Sequence, residues 1–396
     1  MKATDYFYKI ISIFILCLLS SCTEQYMMQT NVFEDRLVVE ATITNEFKKQ
    51  EIKLSKTYKL EESVPTLESG AEVFITDDAD NRYYFIEDSG KYVSEFPFQA
   101  ETGRAYKLNI STRDGKSYSS SSEFLTAVNE IKEVIPKVQS KDGIRGVEIN
   151  VNSYDPTNSS KYYRYEYDET YKIIAPYWNA SRAIVTGTSG DYEIRIIPRE
   201  QETRTCYSTK KSTDVLLVNT NELNEDRVIF PIRFISSKNY IITHRYSILV
   251  TQYIQNLASY TYYKTLKKIS GSDGILSQTQ PGFFYGNIKS NDYPNEKVIG
   301  YFEVSSVSQK RIFFNFSDLF PDENPPPYFT KCELKSFGFC FDYAIPECDG
   351  YNLISAIQTN SLVYYSGLND HYDMVIPPCG DCTSFSSNIK PSFWIE

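Results

Sequence analysis

Histidine is almost missing from this sequence: His244 and His371 are the only two in 396 residues. A catalytic zinc site built on several imidazoles is therefore excluded, and a Ser–His–Asp triad would have to use one of the two. His244 sits in Thr243-His244-Arg245 with no nucleophile elbow near it, and His371 in Asp370-His371-Tyr372-Asp373. Both read as surface or hydrogen-bonded structural histidines. No phosphate loop or dinucleotide fingerprint appears. A basic block is missing too: 41 Lys and Arg stand against 51 Asp and Glu, a formal charge of −10. Such a chain does not suit nucleic acid, nor anionic lipid surfaces by charge alone. Acidic pairs such as Glu61-Glu62 are too common to indicate a glycosidase. We read no catalytic residues, no resident metal and no cofactor. After residue 21 no apolar run is long enough to cross a bilayer.

The one long apolar run is at the start. Lys2 and Lys9 precede Ile10 to Leu19, and Leu19-Ser20-Ser21-Cys22 follows. The charged start and short apolar middle are those of an export signal. Small residues before a cysteine are what a lipoprotein signal peptidase requires, so residues 1–21 are expected to be removed and Cys22 to be lipidated. Acyl chains contribute about 0.8 kcal/mol per buried CH₂, so several on one cysteine give a stable anchor. Loss of Lys2, Lys9 and Asp5 takes the formal charge to −11. Residues 22–32 are polar and aperiodic and read as a tether.

What is abundant is aromatic: 33 Tyr and 24 Phe. With β-branched residues and polar turns between short runs, this points to a mostly β protein. Residues 33–126 read as an immunoglobulin-like or transthyretin-like β-sandwich. Its strands include Leu37 to Ile43, Ile52 with Leu54, Val73 to Ile75, and two hairpins across Asp88-Ser89-Gly90 and Arg113-Asp114-Gly115. Asp77-Asp78-Ala79-Asp80-Asn81 lacks the later Gly and the distant Glu of a calcium loop, and reads as a turn. Thr126 to Gly143, with Pro136, reads as a linker. Residues 127–396 then form a larger β-rich domain, with strands at Val147 to Val151, Tyr162 to Tyr167, Tyr192 to Ile197, Val215 to Val218 and Tyr246 to Tyr253. One helix interrupts them. Ala258, Tyr262, Leu266 and Ile269 share a helical face, Asn256 can cap the start, and Lys267 and Lys268 suit the last turn. Pro325-Pro326-Pro327 must be extended.

Six further cysteines remain after Cys17 leaves: Cys206, Cys332, Cys340, Cys348, Cys379 and Cys382. In an exported chain an even set reads as disulfides, with 15 possible pairings and a stapled C-terminal end. Cys379-Gly380-Asp381-Cys382 could close on itself, or contribute to a Cys₄ zinc site.

Several blocks resemble one family of Bacteroidetes lipoproteins, domain of unknown function family 4249. They are Leu37-Val38-Val39-Glu40 with Ile43-Thr44-Asn45; Ser69-Gly70-Ala71-Glu72-Val73 with Ile75-Thr76-Asp77; Cys206-Tyr207-Ser208-Thr209; Tyr246 to Val250; Gly286-Asn287-Ile288; Gly300-Tyr301-Phe302; and the tail Cys379 to Cys382 with Pro391-Ser392-Phe393-Trp394. Thr383 to Ser387 departs from the family, which often carries basic and glycine residues there. The resemblance implies an outer-membrane lipoprotein, lipid-anchored at the cell surface or the periplasmic face, whose partner is a TonB-dependent receptor.

The expected function is non-catalytic: an accessory or binding subunit of a TonB-dependent outer-membrane transporter. The alternative is a stand-alone surface lipoprotein that binds carbohydrate or protein. Tyr285, Gly286 and Asn287, beside the aromatic run Phe283-Phe284, are the candidate binding residues, and residues 127–396 the candidate receptor face.

Overall fold

The computed structural model describes residues 35–58, 65–188, 191–270, 285–341 and 348–396. The signal, Cys22 and the tether lie outside the described residues. Strands make up 49 % and helices 11 % of the described residues, in several sheets, so the fold is mostly β as expected.

The first eight strands are β1 (Leu37–Thr44), β2 (Glu51–Lys56), β3 (Glu72–Asp77), β4 (Arg82–Asp88), β5 (Lys91–Ser94), β6 (Ala105–Ser111), β7 (Ser117–Ser120) and β8 (Glu123–Phe124). Alternation sets their register: Leu37, Val39, Ala41 and Ile43 of β1 face the core while Glu40 faces out. The β4–β5 turn places both Ser89 and Gly90 at positive φ, the geometry whose twist matches a two-residue hairpin. Asp77 organises the β3–β4 turn. Its carboxylate accepts from the backbone N–H of Ala79 and Asn81, from Asn81 Nδ2 and from Tyr83 Oη.

The expected linker is in fact a strand. β9 (Ile131–Lys141) pairs along β10 (Ile144–Asp155), across Asp142 and Gly143, both at positive φ. Pro136 is tolerated because β9 is the edge of its three-stranded sheet, β16-β10-β9, with β16 at Asp226–Ser236. This sheet packs on a five-stranded one. The latter contains β11 (Tyr162–Ile174), β14 (Thr205–Lys211), β15 (Leu216–Asn219), β17 (Tyr246–Gln255) and β20 (Val307–Phe314). Between them lie Val147, Ile149, Val151, Tyr163, Tyr165, Ile248 and Val250. Hairpin β12 (Ser181–Thr186) and β13 (Glu193–Pro198) reaches away to a third, smaller core.

Helix α1 (Leu257–Ser270) follows β17 directly. Asn256 caps it as expected, its Oδ1 accepting from Ser259 N at 2.8 Å. The inward face differs from the expected stripe: Ser259, Tyr260 and Tyr262 are buried, while Ala258 is exposed and Leu266 and Ile269 only half-buried. A polar contact decides the rotation, since Ser259 Oγ donates to the buried Glu303 at 2.6 Å.

The chain then returns to the first sheet. β18 (Ile288–Ser290) pairs antiparallel with β7, and β19 (Ile299–Ser305) pairs parallel with β1, Val38 opposite Ile299. The full order is β18-β7-β6-β3-β4-β5-β2-β1-β19, with β8 on β6. Ile288, Phe302 and Val304 share one core with Val39, Ile75 and Leu108, so this sheet wraps around a single interior. A division after residue 126 would cut it.

Past β20 come a short helix α2 (Phe316–Leu319), β21 (Lys335–Gly338), helix α3 (Gly350–Gln358), β22 (Val363–Leu368), β23 (His371–Val375) and a turn of helix α4 (Pro377–Gly380). The single expected helix is therefore joined by three others among the described residues. Pro325 to Pro327 carry no regular structure. All six candidate cysteines are paired, as Cys206–Cys382, Cys332–Cys379 and Cys340–Cys348. Cys379 and Cys382 do not pair with each other and ligate no zinc. Each holds the α4 region to a different part of the chain.

Candidate functional site: an aromatic cleft beside helix α1

Where α1 passes over the ends of β8, β18 and β19 it leaves an open cleft of about 590 Å³. Among its polar groups is Glu123, first residue of β8 and only 8 % exposed. A carboxylate so placed needs donors. Glu123 Oε1 accepts from Asn287 Nδ2 at 2.9 Å and Ser121 Oγ at 2.7 Å, and Oε2 from Asn256 Nδ2 at 2.9 Å. Asn256 thus does two things: one atom caps α1 and the other holds the cleft acid.

The walls are aromatic. Tyr262 of α1 and Tyr301 of β19 are both buried, with ring centroids 5.5 Å apart. Burial pushes both phenols up, Tyr262 to about 12, with Glu40 adding for Tyr262 and Glu123 for Tyr301. Both stay neutral at ordinary pH. Leu257 and Ala258 form an exposed apolar rim on the helix. Thr261 and Thr265 line the cleft too, but their hydroxyls donate to Leu257 O and Thr261 O. What the cleft offers a ligand is therefore aromatic and aliphatic surface over one buried carboxylate, a lining and size usual for small-ligand sites.

The three expected binding residues have different fates. Tyr285 stands at the lip, 70 % exposed. Gly286 is a packing requirement: a Cβ there would lie 1.5 Å from Gly300 O. Asn287 is a structural clasp. Its Oδ1 accepts from Phe302 N at 2.7 Å and its Nδ2 donates to Phe302 O at 2.9 Å, so its amide imitates a neighbouring strand and joins β18 to β19, the two ends of the sheet. Glu123, Tyr262 and Tyr301 were not expected as site residues; Tyr262 was read only as part of the helical face. Tyr301 lies in the Gly300-Tyr301-Phe302 block, which was the available signal.

Behind the cleft is a buried ion pair. Arg164 Nη2 donates to Glu303 Oε2 at 3.0 Å, and its guanidinium lies over the rings of Tyr253 (4.0 Å) and Tyr263 (4.6 Å). Glu303 also accepts from Gln255 Nε2 at 2.7 Å. These contacts tie β11, β17, α1 and β19 together. The histidines lie elsewhere: His244 in a groove with Lys172 and Arg245, where burial and then Lys172 lower its pKa, and His371 exposed at the start of β23. Tyr163, Tyr165 and Phe230 stack nearly parallel, but Tyr163 and Tyr165 are wholly enclosed in the core. Among the described residues no group of three or more His, Cys, Asp or Glu could hold a metal, and no helix is long and apolar enough to cross a membrane.

A family model matches residues 23–311, nearly three quarters of the chain. The chain belongs to the family described as Domain of unknown function (DUF4249). Glu123, Asn256, Tyr262, Asn287, Tyr301 and the Arg164–Glu303 pair all fall inside the match. The stapled tail from Cys332 onward falls outside it, although the resemblance read from the sequence extended to Trp394. No curated protein matches the chain.

Proposed function

We propose that this DUF4249 member is a lipid-anchored, non-catalytic binding subunit that serves a TonB-dependent transporter at the outer membrane of a Bacteroidetes cell. The observation that carries the binding part is the cleft beside α1, where Tyr262, Tyr301 and the exposed Tyr285 surround the buried Glu123. Location outside the cytoplasm is supported by three disulfides, which persist in oxidising compartments. It is supported too by the apolar run Ile10 to Leu19 with Cys22 just after it. The receptor face belongs to the larger body, which carries α1 and the stapled tail, because pre-ordered loops lose less entropy on docking.

The test uses the full-length protein, since residues 22–126 lack two strands of their own sheet. Purified from membranes in mild detergent, the wild type should bring down a TonB-dependent receptor identifiable by mass spectrometry. Cys22→Ala should leave a soluble or uncleaved protein without palmitate label. Recovery of no receptor removes the transporter reading, and palmitate labelling that survives Cys22→Ala removes the anchor.

A further inference from the structure

The cleft beside α1 carries a negative charge that its own residues leave unbalanced. Glu123 stands in the lining with neutral partners only. Asn287 Nδ2, Ser121 Oγ and Asn256 Nδ2 donate to it, and the Tyr301 phenol adds a fourth hydrogen bond. Among the described residues no ion pair includes Glu123, and no lysine or arginine lines the cleft. The N-terminal end of α1, which Asn256 links to Glu123, supplies at most about half a compensating charge. A carboxylate this buried acts across a low dielectric, so the field in the cleft is negative and little screened by salt.

The same contacts decide what kind of cation suits it. A carboxylate has about four acceptor sites, and four partners already occupy those of Glu123. A ligand ammonium with N–H groups would find no open acceptor there, and unmet donors cost binding energy. The rest of the lining is aromatic and aliphatic. The rings of Tyr262 and Tyr301 adjoin at 5.5 Å with 39° between their planes, Tyr285 stands at the lip, and Leu257 and Ala258 form the rim. Aromatic faces attract a cation through the ring quadrupole and need no hydrogen bond to do so. Such a lining accepts positive charge spread over apolar groups, with no N–H to satisfy.

We propose that the cleft binds a quaternary ammonium ion, with its methylated nitrogen against Tyr262 and Tyr301 and its charge met by the field of Glu123. This rests on the reading of the cleft as the ligand site of a binding subunit, and it adds the chemical class of the ligand. The volume of about 590 Å³ holds a trimethylated nitrogen with room for a short body along Leu257 and Ala258. The methyl groups displace water from the tyrosine walls, and Glu123 keeps all its hydrogen bonds.

Choline is the probe, and two analogues isolate its features: 3,3-dimethylbutanol has the same shape without the charge, and ethanolamine has the charge with N–H groups. Saturation-transfer NMR titrations on the full-length protein should show saturable binding of choline through its methyl groups, with both analogues weaker by about tenfold or more. Tyr262→Leu removes a ring and should weaken choline by about tenfold, while Tyr262→Phe keeps the ring and the affinity. Glu123→Gln should weaken choline and leave the binding of 3,3-dimethylbutanol as it was; if this variant does not fold, the comparison of analogues on the wild type still decides. Equal binding of choline and 3,3-dimethylbutanol would overturn the cation and leave the cleft a ligand site. Choline binding untouched by Tyr262→Leu and Glu123→Gln would overturn it by locating the ion elsewhere. No saturable choline binding would overturn it as well, and recovery of the receptor with the wild type then decides the subunit reading separately.

Discussion

Asn287 holds Phe302 by both hydrogen-bonding groups of its backbone. A side-chain amide so used is the last rung of a sheet, closing one edge strand against the other where no main chain is available. Asn287→Ala leaves Phe302 N, Phe302 O and one Glu123 oxygen without this partner. At about 1 kcal/mol per lost bond, plus the cost of unsatisfied buried groups, unfolding stability should drop by about 3 kcal/mol. Asn287→Asp should be worse at pH 7 than at pH 4, because it puts a second carboxylate beside Glu123. Urea denaturation at both pH values checks this, and wild-type stability in Asn287→Ala would show that the clasp is dispensable.

The disulfides should contribute unequally. Cys206–Cys382 closes a separation of 176 residues and Cys340–Cys348 one of 8. The chain-entropy relation assigns them about 5 and about 2.5 kcal/mol. Replacing both members of each pair by Ser should lower the denaturant midpoint in that order. Non-reducing peptide mapping should find Cys379 joined to Cys332, and a Cys379–Cys382 bridge would contradict the pairing.

The Arg164–Glu303 pair predicts non-additivity. Glu303→Gln leaves a buried guanidinium without its enclosed counter-charge and should cost about 3–5 kcal/mol. Arg164→Met with Glu303→Leu should cost clearly less than the two single changes summed, since neither orphan remains. A double-mutant cycle by chemical denaturation measures the difference.

The buried tyrosines set an alkaline limit. Tyr163, Tyr165 and Tyr246 have phenols raised above their ordinary value, by burial first, with Asp226 adding at Tyr163 and Glu169 at Tyr246. Folding favours their neutral form, so the stability linked to them is complete below the unfolded pKa of about 10. It is lost as pH climbs from there, by about 1.4 kcal/mol per pH unit for each such group. The urea midpoint should be flat from pH 7 to 9 and fall steeply above 10. A midpoint unchanged at pH 11 would mean these hydroxyls ionise freely in place.

Local chemistry was legible in the sequence. Leu37 to Ile43 alternates and forms β1; Asp88-Ser89-Gly90 turns; Asn256 caps; the cysteines are oxidised. Contacts between distant segments were not. Nothing near Leu37 announces that its strand will pair with one that begins at Ile299. Pro136 read as a linker because a lone proline cannot show that its strand will be an edge. Glu123 and Glu303 look like any surface acid until Asn256, Asn287, Gln255 and Ser259 are gathered around them. The helix face was misjudged for a related reason: apolar spacing favoured Ala258 and Leu266, but a serine hydroxyl and tyrosine rings are what this interior accepts.

The parallel pairing of β1 with β19 also fixes an order of events. Val38 and Ile299 lie 261 residues apart, so during synthesis the first sheet must wait, one edge open, for most of the chain to arrive. Loop closure over that distance is slow, and an open strand edge is a template for the wrong partner. The middle sandwich, whose hairpin β9–β10 is local, can condense meanwhile and carry β19 back towards β1. The amino-terminal sheet of this protein is thus complete only after β19 has been made.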